Sequence, residues 1–173
     1  MDLSICIVSW NVRELLRECL LSLRRVNPEL EVEVLVIDNN SGDNSSDMVR
    51  SEFPEVSLIS NRINRGFAYA CNQGIRKSRG RYVLLLNPDT IIRGGSLEEM
   101  VRFLDERPTA GGGGPKLINP DGTLQPSVRA YPGFRSSLRQ FTLLGDLGIF
   151  HKAGDDYLER GFDYASPSIV KQP

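Results

Sequence analysis

The first hundred or so residues run four times through one cycle: a short apolar stretch, a polar turn, then a segment whose apolar positions recur at helical spacing. The apolar stretches are 3–8 (LSICIV), 32–37 (VEVLVI), 56–60 (VSLIS) and 82–86 (YVLLL). They are continuous rather than alternating, as in strands buried on both faces of a parallel sheet. Between the first two, Val12, Leu15, Leu16, Cys19, Leu20 and Leu23 form one face of a helix over 12–25, ended at Asn27-Pro28. A short helix follows the 38–43 turn and runs to Phe53, and 67–78 forms a third with Ala68, Cys71 and Ile75 inward. Ser96 and Glu99 have capping-box spacing for a fourth helix over 97–106, with Leu97, Met100, Val101 and Leu104 inward. Strands alternating with helices predict an α/β fold, a mainly parallel Rossmann-like sheet with helices on both faces.

After residue 110 the cycle stops. Four glycines lead into a candidate strand at 115–118, a turn at Asn119-Pro120-Asp121-Gly122 and a return over 123–130, which reads as a hairpin. Moderate helical periodicity returns at 135–147, and 151–173 holds few apolar positions. We divide the chain at 118: residues 1–118 as a binding α/β domain, and 119–173 as hairpin, helix and tail.

Charge and cysteine usage narrow the function. A net charge of −1, with Lys and Arg scattered, gives no electrostatic pull toward nucleic acid. Cys6, Cys19 and Cys71 sit in apolar stretches without CxxC spacing, so they read as buried thiols, not a disulfide framework or zinc site. No apolar run is long enough to cross a bilayer, and Met1, leading almost at once into a strand pattern, predicts no signal peptide. These features predict a cytoplasmic protein, with peripheral attachment to the inner face of a membrane as the alternative.

An open parallel sheet binds ligands beyond the carboxyl ends of its strands. The segments there are Ser9-Trp10-Asn11, Asp38-Asn39-Asn40-Ser41, the 61–67 loop and Asn87-Pro88-Asp89. Asp38 can accept a hydrogen bond from a base N–H or ribose hydroxyl, or cap its own turn. Asn64 can bond a base or sugar, Gly66 permits close backbone approach, and Arg65 can meet phosphate. Asn72 has poor helix propensity, which points to a buried hydrogen bond or a ligand. Trp10 can stack on a ligand or pack at the sheet end. Asp89, after the most apolar strand, should stand at the middle of the sheet edge. There it can hold Mg²⁺ or Mn²⁺ together with a substrate diphosphate. The lone His151 reads as solvated.

Two familiar nucleotide sites are excluded. No GxGxxG follows the first strand, and no Gly-Lys-Ser/Thr follows the four glycines. A nucleotidyltransferase would place a basic, glycine-rich loop after the first strand, unlike Ser9–Arg13.

Taken together, IVSWN (7–11), VIDNNSGDNS (36–45), NRGFAYACNQGI (64–75), YVLLLNPDT (82–90) and GPKLINPDG (114–122) resemble the family 2 glycosyltransferases, most of all the rhamnosyltransferase-like subgroup. The resemblance covers roughly residues 3–130 and implies a GT-A fold that binds a nucleoside-diphosphate sugar. By it, Ser9, Trp10, Asn11, Asp38, Asn40, Asn64, Arg65, Gly66, Asn72, Asn87 and Asp89 line the nucleotide-sugar site. Asp89 is then the ligand for Mg²⁺ or Mn²⁺, with Asn87 where the family usually has aspartate. It implies inverting transfer from a dTDP-, UDP- or GDP-linked sugar to a glycan or lipid-linked acceptor hydroxyl. The family's Gly-Ala and Glu-Asp segments, the second carrying the base, find no match, and Asp155, Asp156 and Glu159 lack their context. The expected protein is therefore a donor-binding portion, incomplete at its C-terminal end, or an inactive nucleotide-sugar-binding or interaction module.

Overall fold

A computed structural model describes residues 1–26, 29–128 and 162–165. The chain divides into two compact units, Met1–Gly114 and Pro115–Pro173. In the first, four strands alternate with four helices: β1 (Leu3–Ser9), α1 (Arg13–Arg25), β2 (Val32–Asp38), α2 (Ser45–Glu52), β3 (Ser57–Ser60), α3 (Phe67–Lys77), β4 (Tyr82–Leu86) and α4 (Ser96–Asp105). The strands pair in parallel in the order β3-β2-β1-β4, a GT-A-type arrangement.

The order reverses at β1. The chain steps outward from β1 to β2 to β3, then returns along α3 to place β4 on the other side of β1. The carboxyl ends of β1 and β4 therefore flank a switch point, where the connections that follow part and leave a crevice.

Two cores fill the faces of the sheet. On one, Ile5, Ile7 and Val36 pack with Leu16, Cys19 and Leu20 of α1, Met48 and Val49 of α2, Phe53, and Leu97 of α4. Side chains this fully buried contribute about 1.5–3 kcal/mol each. On the other, Cys6, Leu35 and Ile37 meet Ala70 of α3.

The inward face of α3 is Ala70, Cys71 and Gly74, while Ala68 and Ile75 are exposed, contrary to the sequence reading. The helix approaches so closely that a Cβ on Gly74 would lie 2.9 Å from Ile37 Cδ1 and 3.0 Å from Cys6 Sγ. Small residues therefore select the buried face.

The capping box at α4 is not formed. Gly95 stands at the N-cap with φ 80°, Ser96 Oγ donates to Arg93 O, and the Glu99 carboxylate pairs with Arg102. Nor does β4 lie mid-sheet. It is the outer neighbour of β1, with Val83 and Leu85 exposed, so Asp89 follows a flanking strand among the described residues. Apolar content alone misplaced it, because β1 and β2 hold the centre.

The second unit holds a short antiparallel hairpin, β5 (Leu117–Ile118) with β6 (Leu124–Gln125), turned at Gly122 with φ 86°. Tyr164 Oη accepts hydrogen bonds from the backbone N–H groups of Ser127 and Val128, both 2.9 Å. The helix expected over 135–147 lies outside the described residues.

Candidate functional site

The polar strand ends lie along the carboxyl edge of the sheet. Ser9 and Asp38 are paired residues of β1 and β2, and both are buried. Asp38 Oδ2 accepts from Ser46 Oγ at 2.9 Å and from Ser41 N at 3.3 Å. Its Oδ1 and the Ser9 hydroxyl have no hydrogen-bond partner, although both are shielded from solvent; Arg13 Nε shares that condition. Most buried polar atoms in folded proteins are paired, so two such oxygens on adjacent strand ends set this point of the edge apart.

Two loops are locked to each other beside them. Asn11 lies in the left-handed region at φ 53°; its N–H donates to Ser41 Oγ at 2.9 Å, and its Oδ1 accepts from Gly42 N at 2.8 Å. Asn40 is also left-handed, at φ 68°, and exposed. Asparagine tolerates this backbone better than other side-chain-bearing residues, which accounts for both positions apart from any ligand. The Asp43 carboxylate accepts from Arg13 N at 2.9 Å and from Ser45 N and Oγ at 3.1 and 2.5 Å. It thus caps the first turns of α1 and α2 at once. Burial pushes this carboxyl up, but the hydrogen bonds from Ser45 and Arg13 outweigh it and hold the pKa below the usual range.

Asn39 organises the 61–66 loop. Its Nδ2 donates to Asn64 Oδ1 at 2.7 Å and Gly66 O at 3.3 Å, while its Oδ1 accepts from Asn61 Nδ2 and Arg65 N, both 3.3 Å. Asn64 Oδ1 also accepts from Gly66 N at 2.8 Å, and Gly66 takes φ 84° to enter α3. Asn61 and Gln73 exchange two amide hydrogen bonds at 2.8 and 2.9 Å, anchoring the loop to α3. Asn72 is exposed, so the buried hydrogen bond expected for it belongs to Gln73 instead. The Arg65 guanidinium lies 5.0 Å from the Tyr69 ring centre, and its Nη1 donates to Tyr69 Oη at 3.3 Å. With Asn61, Arg62 and Ile63 these two line a cavity of about 300 Å³.

Beyond β4, Asn87 and Asp89 are exposed. The segment is tied to α1 from beneath: Cys19 Sγ donates weakly to Asn87 O at 3.9 Å, and Ile92 N donates to the buried Ser22 hydroxyl at 3.0 Å. Burial, with the Asp89 charge nearby, pushes the Cys19 thiol up to about 12. Trp10 is 56% exposed at the end of β1. Asp155, Asp156, Glu159 and His151 lie outside the described residues.

Two side chains that organise this edge, Asn39 and Asp43, are read from sequence only as parts of a polar turn, with no role of their own. The only signal for Asn39 was its place directly after a strand-end acid, in a run of two asparagines. No three Asp, Glu, His or Cys side chains gather as a metal centre among the described residues. Nor is any described helix long and apolar enough to cross a membrane.

The family model described as Glycosyl transferase family 2 matches residues 4–156. An uncharacterized glycosyltransferase, YfnE of Bacillus subtilis (strain 168), is 38% identical over 93 residues, covering 53% of this chain and 24% of that protein. An N-acetylglucosaminyl-diphospho-decaprenol L-rhamnosyltransferase of Mycobacterium tuberculosis (strain CDC 1551 / Oshkosh) is 30% identical over 115 residues, covering 60% and 38%. Among solved structures, S. aureus TarS 1-349 in complex with UDP-GlcNAc is 26% identical with a TM-score of 0.54, covering 61% of this chain and 32% of that one. The chain thus spans well under two thirds of each relative's length.

Proposed function

The chain belongs to glycosyl transferase family 2, and from that premise we propose that its sheet edge holds the nucleoside diphosphate of a nucleotide-sugar donor. The observation that carries the proposal is the pair of buried, unpartnered oxygens, Ser9 Oγ and Asp38 Oδ1, on adjacent strand ends. A buried polar atom without a partner costs about 1–3 kcal/mol. Because both oxygens are shielded, a donor reaches them only with a local shift of the strand-end loops; a base N–H or ribose hydroxyl donating to Asp38 Oδ1 then recovers that cost, and Ser9 Oγ can donate or accept beside it. The 61–66 loop, with Asn64 and Arg65, faces the same nucleotide. The structure of the TarS relative with UDP-GlcNAc supports a nucleotide-linked sugar as the ligand class. The nucleotide and sugar are drawn from UDP-, dTDP- and GDP-linked donors.

Asp89 is the residue proposed to hold a divalent cation. A lone exposed carboxylate with an amide two residues earlier is a weak site by itself. It suits Mg²⁺ or Mn²⁺, which keep waters and draw their remaining hard ligands from a substrate diphosphate. When bound, such an ion neutralises the charge that develops on the departing diphosphate. The reaction proposed for the whole protein is inverting transfer. The oxygen of an acceptor hydroxyl forms a bond to the anomeric carbon from the side opposite the diphosphate, the bond to the diphosphate breaks, and a carboxylate base takes the hydroxyl proton. Glycan or lipid-linked acceptors are proposed, the latter supported by the name of the mycobacterial relative.

Titration calorimetry of the chain with UDP-, dTDP- and GDP-sugars, each with and without Mn²⁺, tests the reading. Saturable binding of at least one, weakened by Asp38→Asn, is expected. Failure of all of them to bind overturns it.

A further inference from the structure

We infer that Asn39 is the positioning residue of the donor site: it clasps the 61–66 loop in its binding shape without contacting the donor. For its effect on affinity the inference rests on the donor-site reading above; the clasp itself does not.

Asn39 is 2% exposed, and its backbone N–H donates to Ser9 O at 2.8 Å, so it is fixed to the end of β1. From that rigid point its carboxamide reaches the loop with both ends. The Nδ2 group meets Asn64 Oδ1 and Gly66 O, and Oδ1 meets Arg65 N and Asn61 Nδ2. The loop has little else to hold it. Every residue from Arg62 to Tyr69 is exposed, and the apolar side chains present, Ile63 and Phe67, are 57% and 59% exposed. Segments that bury little apolar surface open locally at low free-energy cost, so their order depends on the few hydrogen bonds that reach the core. Here those bonds converge on one side chain, with Asn61 N to Asp38 O and the Asn61–Gln73 amide pair at the loop's start.

The chemistry requires an amide. Aspartate has the same shape, but it replaces the Nδ2 donor with an oxygen facing Asn64 Oδ1 and Gly66 O. Rotating the Asn64 amide would present a donor to the new carboxylate, but it would remove the acceptor from Gly66 N. Either outcome alters the turn at Gly66 that leads into α3. Alanine removes the clasp outright.

The test uses the full chain with Asn39→Asp, Asn39→Ala and, as the loop-side break that leaves the core intact, Asn64→Ala. Limited trypsin digestion reads cleavage after Arg62 and Arg65, thermal melting reads the global fold, and fluorescence of Trp10, the only tryptophan, reads titration with UDP, dTDP and GDP. All three variants are expected to be cut at the loop at least about tenfold faster than wild type, with global melting lowered by only a few degrees. The Asn39 variants should also lose about tenfold in nucleotide affinity. Unchanged loop cleavage in folded variants overturns the clasp. Faster cleavage with unchanged nucleotide affinity overturns its role in binding. If wild type binds none of the three nucleotides, the donor reading falls and the affinity part of this inference with it, while the cleavage rates still decide whether Asn39 is the clasp.

Discussion

Ser9 and Asp38 stand opposite each other in the parallel register of β1 and β2, and each keeps one buried oxygen without a hydrogen-bond partner. This arrangement separates stability from binding. Removing an unsatisfied buried group relieves a cost instead of breaking a bond. Ser9→Ala is therefore expected to leave unfolding free energy within about 0.5 kcal/mol of wild type, or to raise it. The same substitution should weaken nucleotide-sugar binding several-fold. Urea unfolding and calorimetric titration, run side by side, check the pair of outcomes. A loss of stability above about 1 kcal/mol would show that the hydroxyl is satisfied in solution.

At the opposite end of the sheet, Gly80 lies against β1. A Cβ there would sit 2.5 Å from Ser4 N and 2.7 Å from Leu3 C, both backbone atoms that cannot step aside. The buried Ser4 hydroxyl accepts from Gly80 N at 2.7 Å and Arg79 N at 3.1 Å and donates to Glu33 Oε1 at 2.6 Å, so the strand start is fixed from every side. Gly80→Ala should cost about 3 kcal/mol or more. Gly94→Ala, with open space around its Cβ, should change stability by less than about 0.5 kcal/mol. Denaturant midpoints of the two variants provide the comparison.

What the sequence made legible, and what it hid, follows from which signals are local. LSICIV and VEVLVI declare themselves as buried strands because a strand covered on both faces has no polar alternation to obscure it. The α1 helix is legible through Leu16, Cys19, Leu20 and Leu23, which are buried as read, but Leu15, read onto the same face, is 51% exposed, and the small Ser22 is buried in its place. The α3 face was misread because close approach to Cys6 and Ile37 selects Ala70 and Gly74, which hydrophobicity patterns undervalue. Strand order was hidden too: YVLLL is the most apolar strand, yet it pairs only with β1 among the described strands, a long-range outcome that no window of sequence reports. At the candidate site, the strand-end rule pointed to Asp38 and Asn64 as separate residues. That Asn39 joins their two loops depends on the fold.

The acid response of the Glu33 cluster has a definite sign. Burial pushes the Glu33 carboxyl up, but the Ser4 hydroxyl and Arg79 outweigh it and hold it below its ordinary value of 4.5. A carboxylate with a lowered folded pKa adds stability that is fully present above its unfolded value and is lost as pH falls through the folded value. The difference in urea midpoint between wild type and Glu33→Gln should therefore be largest at neutral pH and should shrink as pH falls from 4.5 through the lowered value. A difference that stays constant down to pH of about 3 would mean that Glu33 titrates alike in both states.

A single carboxylate at Asp89 makes a further prediction about the order of assembly. Because the exposed Asp89 and its neighbour Asn87 offer one charged group, Mn²⁺ alone should bind weakly. A donor diphosphate supplies the missing hard ligands, and linkage then requires that metal and donor each tighten the other by the same factor. Wild type should bind the donor about tenfold more tightly with saturating Mn²⁺, a coupling of about 1.4 kcal/mol, and EDTA should reverse the gain. Asp89→Ala should lose the coupling while keeping the metal-free affinity, since the contacts from Ser9 and Asp38 remain. Asn87→Asp should do the opposite and bind Mn²⁺ measurably before any nucleotide is added, as two carboxylates replace one. Calorimetry of Mn²⁺ into each variant, with and without UDP, separates these cases. Equal coupling in wild type and Asp89→Ala would place the cation elsewhere.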